Sequence, residues 1–277
     1  MKCFNVGILG TGSIAQSMAF TLNALKDKGE VVPYAIASRS LKKAENFARE
    51  WHFEKAYSSY EALVSDPAVD LIYIATPHSL HYEHALLCLN HSKNTLVEKS
   101  FTANALQAQE LLSLAADKKV LLAEAIWTRY MPSRKIIADL LASGAIGRFT
   151  TLNATFSVPI HEIPRMHDPS LCGGALLDLG VYVLTTASMY FGDEIIKTDS
   201  SCSLYPTGVD ATDNITLTYE DGKKAVLHAS MTEESYNCVK ICGSIGYLTW
   251  ESNNNPRNIE LHSSDGSLLQ KISVPEQ

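Results

Sequence analysis

The most constraining stretch of this 277-residue chain is Asn5-Val-Gly-Ile-Leu-Gly10-Thr-Gly12-Ser-Ile-Ala15. Val6, Ile8 and Leu9 form a buried-strand pattern that runs straight into two glycines, and a helical pattern follows from Gln16 to Lys28. Few backbones accept that order. Gly10 allows a tight turn and Gly12 lets the main chain approach a pyrophosphate. The helix start adds unpaired N–H groups and the positive end of a dipole. Ala15 is small enough for the helix to pack on the strand. Gly10, Thr11, Gly12, Ser13 and Ile14 are therefore the expected phosphate-binding residues, because the motif follows a strand and opens a helix as a dinucleotide turn must.

Strands and helices then alternate. Val31–Ala37 reads as a strand, and Leu41–Trp51 as a helix with Leu41, Ala44, Phe47 and Ala48 on one face. A short strand near Ala56-Tyr57 and a small helix at Tyr60–Ser65 precede the break at Asp66-Pro67. Asp70–Thr76 is a continuous apolar strand, and Asn94–Ser100 and Val120–Ile126 are two more. Between these lies a helix at Asn104–Lys118 with Leu106, Leu111, Leu112 and Ala115 as its core stripe. Six strands in about 125 residues fit one doubly wound parallel sheet, expected over residues 1–126.

The strand ends carry the candidate cofactor residues. Ser38-Arg39 follows the second strand where an NAD-specific fold places a carboxylate, and a hydroxyl with a guanidinium suits a 2′-phosphate, so NADP is expected over NAD. Ligands of open α/β sheets lie beyond the carboxyl ends of strands, which makes Thr76, Pro77, His78 and His81 candidates for a cofactor wall. His78, His81 and His84 recur every three residues but drift in facing by about 60° per step on a helix, so no metal site is expected. Glu98-Lys99 puts a charged pair at the end of a buried strand, where turn residues normally stand.

Beyond Trp127-Thr-Arg129-Tyr-Met-Pro132 the period changes. A helix is expected at Ser133–Ala142, then short strands at Phe149–Val158, Asn214–Tyr219, Ala225–Met231, Val239–Cys242, Tyr247–Glu251, Ile259–His262 and Leu268–Val274, separated by turn residues such as Glu220-Asp-Gly222 and Ser264-Asp-Gly266. A helical insertion, Gly173-Gly-Ala-Leu-Leu-Asp178-Leu-Gly-Val-Tyr182 and onward to Tyr190, places Asp178 and Tyr182 four apart on one face of an otherwise apolar helix. The fold class is thus α/β followed by α+β: a parallel Rossmann sheet, then a mainly antiparallel open-faced sheet over residues 127–277.

Net charge is −7, which argues against a polyanion such as nucleic acid as partner. No run of eighteen apolar residues and no N-terminal leader pattern is present, so a cytoplasmic protein away from membranes is expected. Six scattered cysteines without C-x-x-C spacing point to reduced thiols.

Taken in order, G-T-G-S-I-A, Thr76-Pro77-x-x-x-His81, Glu98-Lys99, Glu124-Ala-Ile-Trp-Thr-Arg129 and the Gly173–Tyr182 stretch resemble the Gfo/Idh/MocA oxidoreductases, with the last two most similar to its dihydrodiol dehydrogenase and NADP-dependent D-xylose dehydrogenase branch. The resemblance implies a lysine beside the nicotinamide at Lys99, an acid/base residue at Tyr182, a carboxylate one turn earlier at Asp178, a 2′-phosphate site at Ser38-Arg39 and a homodimer through the C-terminal sheet. Two departures stand out. Ser100 replaces the family's usual proline after Lys99; a cis bond before a non-proline residue costs about 2.5–4 kcal/mol, so a trans bond is expected. The chain also stops at Gln277, where relatives typically continue, so a C-terminal segment is expected to be missing.

The expected activity is hydride transfer between NADP and a polyhydroxylated small molecule, an aldose or a trans-dihydrodiol. Tyr182 is assigned the proton, Lys99 the charge that favours its phenolate, and Asp178 a substrate or lysine contact; the opposite assignment, with Lys99 carrying the proton, stays open. Glu124 and Arg129 are expected to pair or to line the cleft, and Trp127 and Arg129 are counted with the cofactor residues. His161 and His167 flank a loop that either touches substrate or is solvated. Two alternatives are a non-catalytic NAD(P) sensor and a family offshoot that uses bound NAD for sugar isomerisation or cleavage.

Overall fold

A computed structural model describes residues 3–276; the outermost residues of the expected domains, 1, 2 and 277, lie outside the described residues. The chain divides into two compact units, Met1–Ala125 and Ile126–Gln277.

In the first unit the elements run β1 (Phe4–Leu9), α1 (Ser13–Lys26), β2 (Val31–Ala37), α2 (Leu41–Trp51), β3 (Lys55–Tyr57), α3 (Tyr60–Val64), β4 (Leu71–Ile74), α4 (His81–Asn90), β5 (Asn94–Val97), α5 (Ala105–Lys118) and β6 (Leu122–Glu124). All pairings are parallel and the sheet order is β3-β2-β1-β4-β5-β6. That order reverses direction between β1 and β4, the crevice where such sheets receive ligands. Because every strand is parallel, the ends of β1, β2, β4 and β5 lie along one edge. Ile8, Ile36, Ile72 and Ile74 are fully buried, as residues of a sheet covered on both faces must be.

The helix stripes differ from the expected ones in part. On α5 Leu111 and Ala115 are buried, but Leu106 and Leu112 are 77% and 53% exposed; on α2 Leu41 is exposed while Ala44, Phe47 and Ala48 are buried. One narrow i, i+4 stripe suffices for a helix that rests on a sheet, so further leucines fall on the solvent side.

The second unit contains α6 (Pro132–Ala142), β7 (Phe149–Ser157), a π-helical turn at Leu176–Gly180 leading into α7 (Val181–Phe191), β8 (Ile195–Leu204), β9 (Asp210–Tyr219), β10 (Lys224–Ser230), β11 (Cys238–Gly243), β12 (Gly246–Glu251), β13 (Asn258–Ser263) and β14 (Leu268–Ser273). Its eight strands are ordered β14-β13-β12-β11-β7-β10-β9-β8, antiparallel throughout except for β7 with β10. Leu217, Ala225, Leu152, Ile241, Leu248 and Leu261 stand side by side across six strands, and all are buried. Against this face pack Val183, Ala187 and Phe191 of α7 and Ile137 and Leu141 of α6. The stretch Pro169–Phe191 is long and apolar enough by composition to cross a membrane, yet over half of its most apolar window is buried in this unit.

Candidate active site

In the first unit, Gly10 has φ +103°, and a Cβ there would stand 2.8 Å from the Ala75 carbonyl oxygen; this turn therefore requires glycine. Its N–H donates to Ala37 O (3.0 Å), which ties the turn to β2. Gly12 caps α1 with no side-chain hydrogen bond, and a Cβ on it would meet nothing within 4 Å. Thr11, Ser13 and Ile14 border this opening, Ile14 at 42% exposure. An anion can reach the first amides of α1 here without displacing a side chain.

At the end of β2, Ser38 is buried and Arg39 exposed, and Ser40 caps α2 by accepting from Lys43 N. Arg39's charge bears on two residues the sequence did not single out as a pair. Tyr60 and His84 meet edge to face at 4.6 Å, and both feel Arg39. Burial, with His81 and Arg39 acting in the same direction, lowers the His84 imidazole to about 4, so it is neutral at physiological pH. His84 Nδ1 lies 2.9 Å from Thr76 Oγ1, which joins this cluster to the end of β4.

His81, expected on the cofactor wall, faces into the protein. It is fully buried, with Nδ1 2.7 Å from Ser100 O and Nε2 2.8 Å from Thr76 O. Desolvation, with Lys99 adding to it, holds the imidazole below its ordinary value. Its ring is a brace between the ends of β4 and β5, because the turn after β4 directs the first residue of α4 inward. Pro77 and His78 remain outside it, exposed and half-buried.

The Lys99–Ser100 peptide is cis, against the expected trans bond. The isolated dipeptide favours trans, whereas in the fold contacts from three places surround this bond. His81 meets Ser100 O, Glu124 Oε1 accepts from Phe101 N (2.9 Å), and Glu98 Oε2 accepts from Lys99 N (3.1 Å). Glu98 also takes a very short hydrogen bond from the buried Tyr73 hydroxyl. Its carboxylate thus helps to set the backbone from which Lys99 projects.

In the second unit, Tyr182 is 8% exposed on the first turn of α7. Its hydroxyl oxygen accepts a hydrogen bond from Trp127 Nε1 at 3.1 Å, and the rings of Trp127 and Phe156 stand nearly perpendicular to its own, at 6.3 and 5.3 Å. Asp178, 4% exposed on the π-helical turn, receives both arms of the Arg165 guanidinium at 3.1 and 3.2 Å. Sequence reading did not find Arg165; a lone arginine in a proline-bracketed loop has no fixed spacing to its partner. The link is Gly173, where a Cβ would collide with Arg165 O and Met166 O at 2.7 and 2.6 Å. Without a side chain at that point, the Arg165 loop lies directly on the helix entry.

Arg129 donates to Ser188 Oγ (3.2 Å), which anchors the Trp127–Tyr130 turn to α7. His161 and His167 bind each other's segment and the chain around it: His167 Nδ1 lies 3.0 Å from His161 O, His161 Nδ1 lies 3.3 Å from Met231 O, and His167 stacks on Tyr205 at 5.7 Å. Among the described residues no group of three or more His, Cys, Asp or Glu is arranged to hold a metal ion.

Residues 4–125 match the model of an oxidoreductase family with an NAD-binding Rossmann fold (GFO_IDH_MocA), and residues 135–249 match the GFO/IDH/MocA C-terminal domain. A trans-1,2-dihydrobenzene-1,2-diol dehydrogenase of Xenopus laevis is 38% identical over 245 residues, 87% of this chain and 73% of that protein. Among solved structures, a 3-ketoreductase from Actinomadura kijaniata in complex with NADP and TDP-benzene is 27% identical with a TM-score of 0.89, over 99% of this chain and 85% of that one. A levoglucosan dehydrogenase in complex with NADH, 20% identical with a TM-score of 0.89 over 99% of this chain and 80% of its own, shares the fold.

Proposed function

The chain belongs to the Gfo/Idh/MocA oxidoreductase family, and on that premise we propose that it uses NADP to oxidise and reduce a CH–OH carbon of a polyhydroxylated small molecule, either a cyclic trans-dihydrodiol or an aldose. The residues fit a nicotinamide dinucleotide. Gly12 opens on free space at a helix start that has no side-chain cap, and the neighbouring strand end offers Ser38 and Arg39. The last of these carries the preference for NADP: a cation stands where a ribose-binding carboxylate would repel a 2′-phosphate. When bound, the dinucleotide supplies the carbon that accepts or gives the hydride.

The chain's own residues handle the proton and the substrate oxygens. Tyr182 takes the hydroxyl proton in oxidation and returns it in reduction. Lys99 supplies a positive charge and N–H donors to the reacting oxygen, which favours the ionised phenol. Asp178, paired with Arg165, accepts from a neighbouring hydroxyl, a role suited to diols and sugars. The rings of Trp127 and Phe156 keep the phenol away from bulk water. This reading also includes a cytoplasmic homodimer joined through the open face of the second unit's sheet.

The test begins with NADP and NAD titrations by fluorescence quenching, followed by a screen of trans-dihydrodiols and aldoses for reduced-cofactor absorbance. Arg39→Ala should weaken NADP about tenfold more than NAD; equal loss for both would remove the 2′-phosphate reading. Tyr182→Phe should abolish turnover while NADP affinity holds, and an active variant would hand the proton to Lys99.

A further inference from the structure

We propose that Trp127 is a positioning residue that fixes the direction of the Tyr182 hydroxyl for proton transfer. This rests on Tyr182 being the acid/base group. An indole N–H can only donate, so in the 3.1 Å contact the phenol oxygen is the acceptor. A phenolic O–H prefers the plane of its ring, with two in-plane directions. The indole occupies the acceptor side facing Trp127, and the hydroxyl hydrogen is left on the other. The near-perpendicular rings of Trp127 and Phe156 hold the phenol against turning, and α7 anchors its backbone through the Thr186 hydroxyl, which donates to Tyr182 O at 3.0 Å.

The same contact serves both protonation states. In reduction the Tyr182 O–H bond breaks, a new O–H bond forms on the substrate oxygen, and the negative charge stays on the phenolate. The indole N–H is already aimed at that oxygen, and a hydrogen bond to an anion is about twice as strong as one to a neutral group. In oxidation the phenolate takes the incoming proton with the indole donor already in place. Trp127 therefore acts through Tyr182 rather than on the substrate.

The charged group on Tyr182's own helical segment is Asp178, paired with Arg165, while the turn carrying Trp127 and strand β7 present aromatic rings to it. Trp127→Phe keeps a ring and removes the donor. With NADP and the diol or aldose turned over best in the screen, it should lower kcat about tenfold and leave KM within about twofold. The melting temperature should hold. Trp127→His, which keeps a ring N–H, should recover part of the loss. Without substrate, the tyrosinate absorbance near 295 nm that disappears in Tyr182→Phe marks this one phenol, and in Trp127→Phe it should emerge about one pH unit higher.

A Trp127→Phe variant with parental kcat and an unmoved tyrosinate titration would overturn the proposal while Tyr182→Phe stays inactive. A raised KM with kcat held would make Trp127 a substrate wall and overturn it as well. Full turnover in Tyr182→Phe would remove the underlying reading and the proposal with it.

Discussion

Asp213 shows how far burial can move one side chain. It is 7% exposed on β9, and desolvation together with the neighbouring Asp210 carboxylate raises it from an ordinary 3.8 to about 7. Between those values the folded chain holds a proton that the unfolded chain has released. Stability conferred by that proton is therefore lost as pH rises from about 4 to about 7. Asp213→Asn keeps the neutral shape and should flatten this decline, adding about 1–3 kcal/mol at pH 8 in urea unfolding. Parallel pH slopes for parent and variant would clear Asp213 of the effect. Such residues are the hard part of reading a sequence. Gly10, Gly12 and Arg39 are legible because local backbone or charge rules single them out. His81 was legible as a polar residue at a strand end, but its role depends on carbonyls 5 and 19 residues away. Arg165 meets its partner across 13 residues of irregular chain, a distance no periodicity spans.

Among the elements, those with strong apolar periods matched within a few residues, and the departures have local causes. Helix α1 begins at Ser13 rather than Gln16 because Gly12 itself serves as its cap. Strand β8 escaped sequence reading altogether. All ten of its residues are exposed, so Lys197-Thr-Asp-Ser-Ser-Cys202 has no reason to alternate, and the strand exists through its pairing with β9 at the sheet edge. The helix entry at residues 173–180 was legible in composition but not in winding, since a π-helical turn leaves no sequence period of its own. That entry is also where packing controls chemistry. Gly173→Ala would drive a methyl into the Arg165 and Met166 carbonyls, lifting the loop that delivers the guanidinium to Asp178. We expect a loss of about 1–3 kcal/mol in thermal or urea unfolding, with kcat reduced and NADP affinity unchanged. Parental stability in this variant would mean that the loop has room to retreat.

The two units hold separate cores, and the second leaves one face of its sheet without helices packed on it in the described contacts. Register carries a single row across all eight strands on that face: Asp199, Thr216, Val226, Asn153, Lys240, Thr249, Glu260 and Lys271. Val226, near the middle, is 44% exposed between the buried Ala225 and Leu227, and it is flanked by short Thr and Asn side chains that let a second sheet approach closely. Under the proposed homodimer a two-fold axis would bury this row against its own copy, so any change at Val226 acts twice. Val226→Lys places two ammonium groups in that contact without disturbing the Leu217–Ala225–Leu152 row on the opposite face. In sedimentation equilibrium the parent should behave as a dimer, and the variant should dissociate at concentrations about a hundredfold higher or more. Its far-ultraviolet circular dichroism and NADP affinity should match the parent's, because the glycine turn belongs to the other unit. A dimer that survives Val226→Lys would have its interface on another surface, and a monomeric parent would remove the dimer from the proposal.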